Sequence, residues 1–295
     1  MAEPTATKEL LVPLEAGLVV MERYGLYSES RDNWTDPLLA PVVERVHTAH
    51  APYDMEIKEK KYRINIASPQ EKFREYSVRV LENFIRAVKQ APNCKLVVTH
   101  PAPHYWSEDA GHKCEIKEVG DYGRMVESLK RLSRVAAEMG VSFVVENNRV
   151  PWKDIPPGEN FQHEKHHGKI HEYFACAPNE WASLPNDVNE PNFGLCFDTS
   201  HAVTYAQRFP VEAREGIVAL YLTLASDKVF HAHWSDNQLL TNEGRDDLHL
   251  GLGKGTIPRK VHQQIWNSPS IKTCLFEHWT HEGDLSDETR YVERL

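Results

Sequence analysis

The chain has 295 residues, of which 41% are hydrophobic and 26% charged, with 15 glycines and 18 prolines. That composition excludes fibrous, low-complexity and disulfide-stapled classes, and with no internal repeat it predicts one globular domain over residues 1–295. Lys and Arg number 34 against 43 Asp and Glu, a net charge of −9. No basic run marks a surface for tracking phosphates, which weakens nucleic-acid binding, although a cluster of divalent cations would reverse the local field in a pocket.

Apolar stretches such as Leu10–Val20 are broken by charge, Pro or His before they could cross a bilayer, so no membrane span is expected. The start, MAEPTATKE, lacks a basic segment followed by an apolar core and does not read as a secretory signal. Five cysteines (Cys94, Cys114, Cys176, Cys196, Cys274) with no C-x-x-C spacing fit a reducing cytoplasm. Sixteen histidines are the unusual number.

In chain order, KELLVPLEAGLVVMERYG has room for a strand and part of a helix, or a helix and a strand, but hardly for two full βα units. Strands are predicted at Val46–His50, Lys95–His100, Ser142–Glu146, Phe193–Asp198, Val229–His233 and Thr273–Glu277. Between the first two, Pro69–Ala91 carries Phe73, Tyr76, Val80, Leu81, Phe84, Ile85 and Val88 near helical spacing. Tyr122–Met139 has the same character, and Gly140 supplies its stop. An insertion near 150–176, rich in Pro, Gly, Asn and His, precedes a helical segment, PNEWASLPNDV. The alternation predicts an α/β fold, a (β/α)8 barrel with an irregular first unit.

Each predicted strand ends in a residue able to bind a metal: His50, His100, Glu146, Asp198, His233 and Glu277. Parallel strands of a barrel converge at their carboxyl ends, so these six side chains are expected to meet. Asp198 and His201 lie three apart where a strand gives way to a turn. Asp247 and His249 alternate as in an extended segment, which would point both to one side. Gly251, Gly253 and Gly255 would then let the backbone pass close to a bound group. Imidazole with carboxylate and no thiolate cluster suits Zn²⁺, Mn²⁺, Fe²⁺ or Co²⁺. The tract HEKHHGKIH (His163, His166, His167, His171) has a spacing that can chelate a metal on a helix, but a solvated, mobile lid segment is the favoured reading. Among the tryptophans, Trp234 and Trp279 adjoin ligand strand ends and are the better candidates for a substrate wall.

The motifs HAPY (50–53), THPAPH (99–104), VVENN (144–148), CFDTSH (196–201), HWSDN (233–237), DLHLGLGKG (247–255) and LFEHW (275–279) resemble, in order, the xylose-isomerase-like TIM barrels. That superfamily holds sugar and sugar-phosphate isomerases and epimerases together with endonuclease IV. The likeness runs from about Val46 to the end, outside the insertion. It implies one cation held by Glu146, Asp198, His233 and Glu277. An endonuclease-like site would add His50 and His100 to a second metal bridged by Glu146, and His201, Asp247 and His249 to a third, so one to three ions per chain.

Two reactions follow from the resemblance. In an isomerase or epimerase, a hydroxy-carbonyl sugar chelates the metal and Glu146 and Glu277 exchange a carbon-bound proton, with His201 holding a substrate oxygen. In a multi-zinc phosphodiesterase acting on abasic DNA, His50, His100, His201, Asp247 and His249 become indispensable. Asp54, standing after HAPY where endonuclease IV has an apolar wedge, favours a small carbohydrate-like substrate over nucleic acid. A silent metal- or sugar-binding barrel is a third reading, and a homo-oligomer is compatible with the sequence.

Overall fold

The computed structural model describes residues 46–107, 115–278 and 284–295. They fall into two compact units. One comprises residues up to Ala102 with Gly120–Glu146 and Leu184–Gly194; the other comprises Pro103–Val119, Asn147–Ser183 and Leu195–Leu295.

The first unit is built on parallel strands β1 (Thr48–His50), β4 (Leu96–Thr99) and β7 (Ser142–Glu146). Leu96 pairs with Thr48 on one side and Ser142 on the other, with the central strand fully buried. Two helices make the crossovers, α1 (Glu71–Ala87) and α2 (Tyr122–Glu138), as right-handed βαβ units require. Leu81 and Ile85 of α1, and Leu129 and Leu132 of α2, are fully buried, each worth roughly 1.5–3 kcal/mol of transfer free energy. Asp121 caps α2 by accepting from Arg124 N at 2.8 Å, and Gly140 ends it with φ at 72°. A hairpin absent from the expected elements, β2 (Asp54–Ile57) and β3 (Lys60–Arg63), follows β1. Lys58 and Glu59 both take positive φ, as a two-residue hairpin turn of this hand demands.

β9 (Phe193–Asp198) starts in the first unit, where Phe143 N donates to Asn192 O, and runs on into the second. There it pairs with β10 (Val229–His233), which pairs with β11 (Thr273–Leu275), all parallel. Helices α5 (Thr199–Ala206), α6 (Val211–Leu224), α7 (Arg259–Asn267) and α8 (Asp284–Val292) accompany them. All six predicted strands are found, the first, second and last of them shorter than expected.

The insertion carries short elements and a small core within its loops. A small antiparallel sheet of β5 (Pro103–Trp106), β6 (Lys117–Glu118) and β8 (Glu172–Tyr173) borders it, and α3 (His163–His166) lies within it. Val150, Trp152, Ile155, Ile170 and Cys176 form a core of its own, and Trp152 Nε1 donates to Thr204 O of α5 at 2.9 Å. Within the HEKHHGKIH tract, His163, Glu164, Lys165, His167 and Lys169 are exposed as expected of a solvated segment, whereas His166, Ile170 and His171 are buried. The helical stretch after it is α4 (Pro178–Val188). The irregular amino-terminal unit falls outside the described residues. Among the described residues no helix is long and apolar enough to cross a membrane.

Candidate metal centre

In the first unit, the register His50↔Val98 and Thr99↔Val145 sets three strand ends level. His50 Nε2 lies 3.2 Å and His100 Nε2 3.4 Å from the same oxygen, Glu146 Oε2. His50 and Glu146 are buried, while His100 keeps 24% of its side chain open. His50 Nδ1 donates to Ala51 O at 2.8 Å; because a carbonyl can only accept, the proton sits on Nδ1 and Nε2 is the atom aimed at the carboxylate.

In the second unit, β9 and β10 pair Asp198 with His233. Asp198 Oδ1 accepts from His201 N at 2.6 Å and so caps α5, while Oδ2 lies 3.7 Å from His233 Nδ1. His233 Nδ1 is also 2.8 Å from Glu277 Oε2, two residues past the end of β11. A carboxylate further on completes the set: Asp247 Oδ2 is 3.2 Å from His201 Nε2, and its Oδ1 is 3.1 Å from His249 Nε2. Both imidazoles repeat the arrangement of His50. His201 Nδ1 donates to Asn147 O at 2.9 Å, and His249 Nδ1 donates to Glu277 O at 3.0 Å.

Three histidines therefore spend one ring N–H on a backbone carbonyl and turn Nε2 to a carboxylate, which is how a protein orients imidazole for a cation. The ligand atoms of His50, His100 and Glu146 lie within 4.8 Å of one another, as do those of Asp198, His201 and His249. This donor set of hard oxygens and borderline nitrogens fits Zn²⁺ or a first-row neighbour. The electrostatics agree. Burial opposes charge on Asp247, but His201 and His249 outweigh it and hold its carboxyl well below the usual range. Burial likewise opposes protonation of His249, yet Asp247, Glu277 and Asp198 raise it to about 10. The cluster demands positive charge, from imidazolium or from a cation.

Three residues outside the expected set brace the segments that carry these ligands. Asn147, directly after Glu146, clamps Asp198 by donating to its O (2.9 Å) and accepting from its N (2.7 Å). Arg149 brings a guanidinium nitrogen within 3.4 Å of Asp247 Oδ2. Glu288 of α8 is buried and accepts from Leu252 N and His278 Nε2, at 2.8 and 2.7 Å. An asparagine following a strand-end acid is a signal the sequence does offer; the other two depend on long-range packing.

Several expectations are corrected. Trp234 is 0% exposed, donates from Nε1 to His262 Nδ1 at 2.9 Å and stacks on Trp266, so it packs among helices and walls no substrate. Asp247 and His249 meet without an extended segment, since His249 adopts φ 43°. The glycines approach protein rather than ligand: a Cβ on Gly255 would stand 2.4 Å from Asp236 Oδ1, and one on Gly253 2.9 Å from the Tyr291 ring. Trp279 lies outside the described residues.

Residues 43–294 match the model of the xylose isomerase-like TIM barrel family. A probable endonuclease 4 of Aquifex aeolicus is 25% identical over 202 residues, 66% of this chain and 60% of that protein. The chain spans 53% and 60% of the length of the curated relatives it matches. Among solved structures, a D-tagatose 3-epimerase-like protein superposes with TM-score 0.58 at 19% identity, covering 90% of this chain and 83% of that one. Endonuclease IV from Thermus thermophilus superposes with TM-score 0.56 at 18% identity, covering 95% and 94%. At such identities the structural likeness establishes the fold alone.

Proposed function

Because this chain belongs to the xylose isomerase-like TIM barrel family, and so has an α/β barrel fold, we propose that it is a divalent-cation-dependent phosphoester hydrolase using more than one cation. The observation that carries this reading is the histidine geometry: His50, His201 and His249 each tie Nδ1 to a backbone carbonyl and aim Nε2 at a carboxylate. A single-cation isomerase has no need of His50 and His100 on Glu146, nor of Asp247 between two imidazoles.

Bound cations would supply Lewis acidity toward a phosphoryl group and lower the pKa of a water molecule. His50, His100 and Glu146 would hold one cation. Asp198, His201, Asp247 and His249 would hold others together with His233 and Glu277. Asn147 keeps Asp198 and His201 in place, and the half-exposed Arg149 guanidinium beside Asp247 is positioned to take a phosphate oxygen.

Zinc-loaded protein is expected to cut a duplex oligonucleotide at an abasic site, with loss of cutting on chelation and in His100→Ala. Absence of cleavage of both that duplex and a small phosphodiester would overturn the proposal. A second reading, a sugar isomerase or epimerase with Glu146 and Glu277 as its proton-transfer pair, is favoured by Glu277 alone. Its carboxylate touches His233 yet keeps 20% of the side chain open, so it could meet a substrate proton. Wash-in of solvent deuterium at the carbon next to a ketose carbonyl, lost in Glu277→Gln, would support that reaction instead.

A further inference from the structure

Away from the cation clusters, the second unit carries a serine, a histidine and an aspartate in series. β5 and β8 run antiparallel with Tyr105 opposite Glu172, and continuing that register sets Trp106 opposite His171, with Ser107, the next residue along, within reach of the same imidazole. Ser107 Oγ lies 2.8 Å from His171 Nε2. His171 Nδ1 lies 2.6 Å from Asp154 Oδ2, an oxygen that also accepts from His171 N at 2.8 Å. Ser107 N donates to the same Nε2 at 3.4 Å.

An imidazole nitrogen that accepts must present its lone pair, so the ring proton is on Nδ1, facing the carboxylate. That is the tautomer in which Nε2 can take a proton from the serine. Trp106 packs edge-on against the imidazole with centroids 4.3 Å apart and fixes its plane. Donor, base and orienting acid thus have the distances and order of a nucleophilic hydrolase, although neither the metal-ligand motifs nor the family resemblance involves them.

We propose that Ser107 is a nucleophile for acyl transfer from small carboxylic esters, with His171 as general base and Asp154 as the carboxylate that orients it. Ser107 Oγ bonds to the ester carbonyl carbon as its proton passes to His171 Nε2. The ester C–O bond then breaks, and the leaving alcohol takes that proton. Water, giving its proton to the same nitrogen, attacks the acyl carbon; release of the acid returns the proton to Ser107. Ser107 is only 4% exposed, which confines the substrate to compact acyl groups such as acetyl. No cation takes part.

The test is covalent labelling of the full chain by methanesulfonyl fluoride, a reagent as compact as an acetyl group, in the presence of EDTA, read by intact mass and peptide mapping. The expected result is a single adduct on Ser107. It should be absent in Ser107→Ala and form at least about 10³-fold more slowly in His171→Ala and Asp154→Asn, with p-nitrophenyl acetate hydrolysis falling in parallel. Should His171→Ala melt early, His171→Gln serves in its place, and circular dichroism identifies which variants are folded. A merely structural relay would leave Ser107 unlabelled under conditions that fully modify a serine-hydrolase control, and that result overturns the proposal. Labelling that is unchanged in folded His171 variants overturns it equally. Labelling survives EDTA whereas phosphoester cleavage does not, so the two proposals fail separately.

Discussion

Asp247 and His249 face each other at 3.1 Å across a backbone that turns left-handed at His249, where φ is 43°. A non-glycine residue held there costs on the order of 1 kcal/mol or more, and such strain is found where surrounding structure and function over-determine it. Asparagine tolerates the same conformation. His249→Asn should therefore melt within a few degrees of the wild type while binding one zinc ion fewer and losing about 100-fold or more in phosphoester cleavage. An unchanged zinc content, measured by elemental analysis after desalting, would remove His249 from the ligand set.

Asn147 satisfies both backbone groups of Asp198 and orients His201 through its own carbonyl. Asn147→Ala leaves the carbonyl but strips two buried hydrogen bonds, at a cost of about 2–4 kcal/mol in urea denaturation. Because Asp198 is then free to shift, zinc affinity should fall roughly 10–100-fold. A loss of stability with no change in affinity would make Asn147 a purely structural clamp.

Glu180, which is in none of the histidine–carboxylate clusters, makes stability depend on pH. Burial pushes its carboxyl up to about 7, against a partial offset from the Ala175 N–H that it accepts. The folded state therefore binds a proton more tightly than the unfolded state, whose value is 4.5. The associated stability is fully present below pH 4.5 and is lost as pH rises through about 7, by on the order of 3 kcal/mol. Glu180→Gln should flatten the decline in urea-derived stability between about pH 5 and 8. Identical slopes in the two proteins would show that Glu180 ionises freely in the folded chain.

Gly255 is confined by space rather than by its dihedral angles. Its missing Cβ leaves room for Asp236 Oδ1, which accepts from Asn237 N and Ile257 N, and for the backbone of Asn237 itself. Gly255→Ala forces backbone apart and should destabilise the protein by about 1–3 kcal/mol. Thermal melts check this; an unchanged midpoint would mean that the Asp236 latch yields easily.

Much of this is readable from residue order. Strand-length apolar runs ending in His50, Glu146, Asp198 and His233 mark both the parallel elements and the ligand positions, because a buried strand must be apolar until it reaches the rim. The Asp247 to His249 segment is harder, since its partners are chosen by a left-handed turn that no alternation pattern encodes. Trp234 stands beside a ligand in sequence but points to the opposite side of the strand, where His262 and Trp266 receive it. The Ser107, His171 and Asp154 series is invisible in sequence because it depends on the pairing of β5 with β8, two short strands inside what reads as loop. The hairpin β2–β3 escapes for a related reason: DMEI and KKYR are too polar to announce strands.

The most direct test of the central claim is a count of zinc ions per chain, by native mass spectrometry and elemental analysis of protein purified without chelator. More than one tightly held ion is expected, three at saturation, with one lost in His100→Ala and one lost in His249→Asn. A single ion per chain, unchanged in both variants, would contradict it.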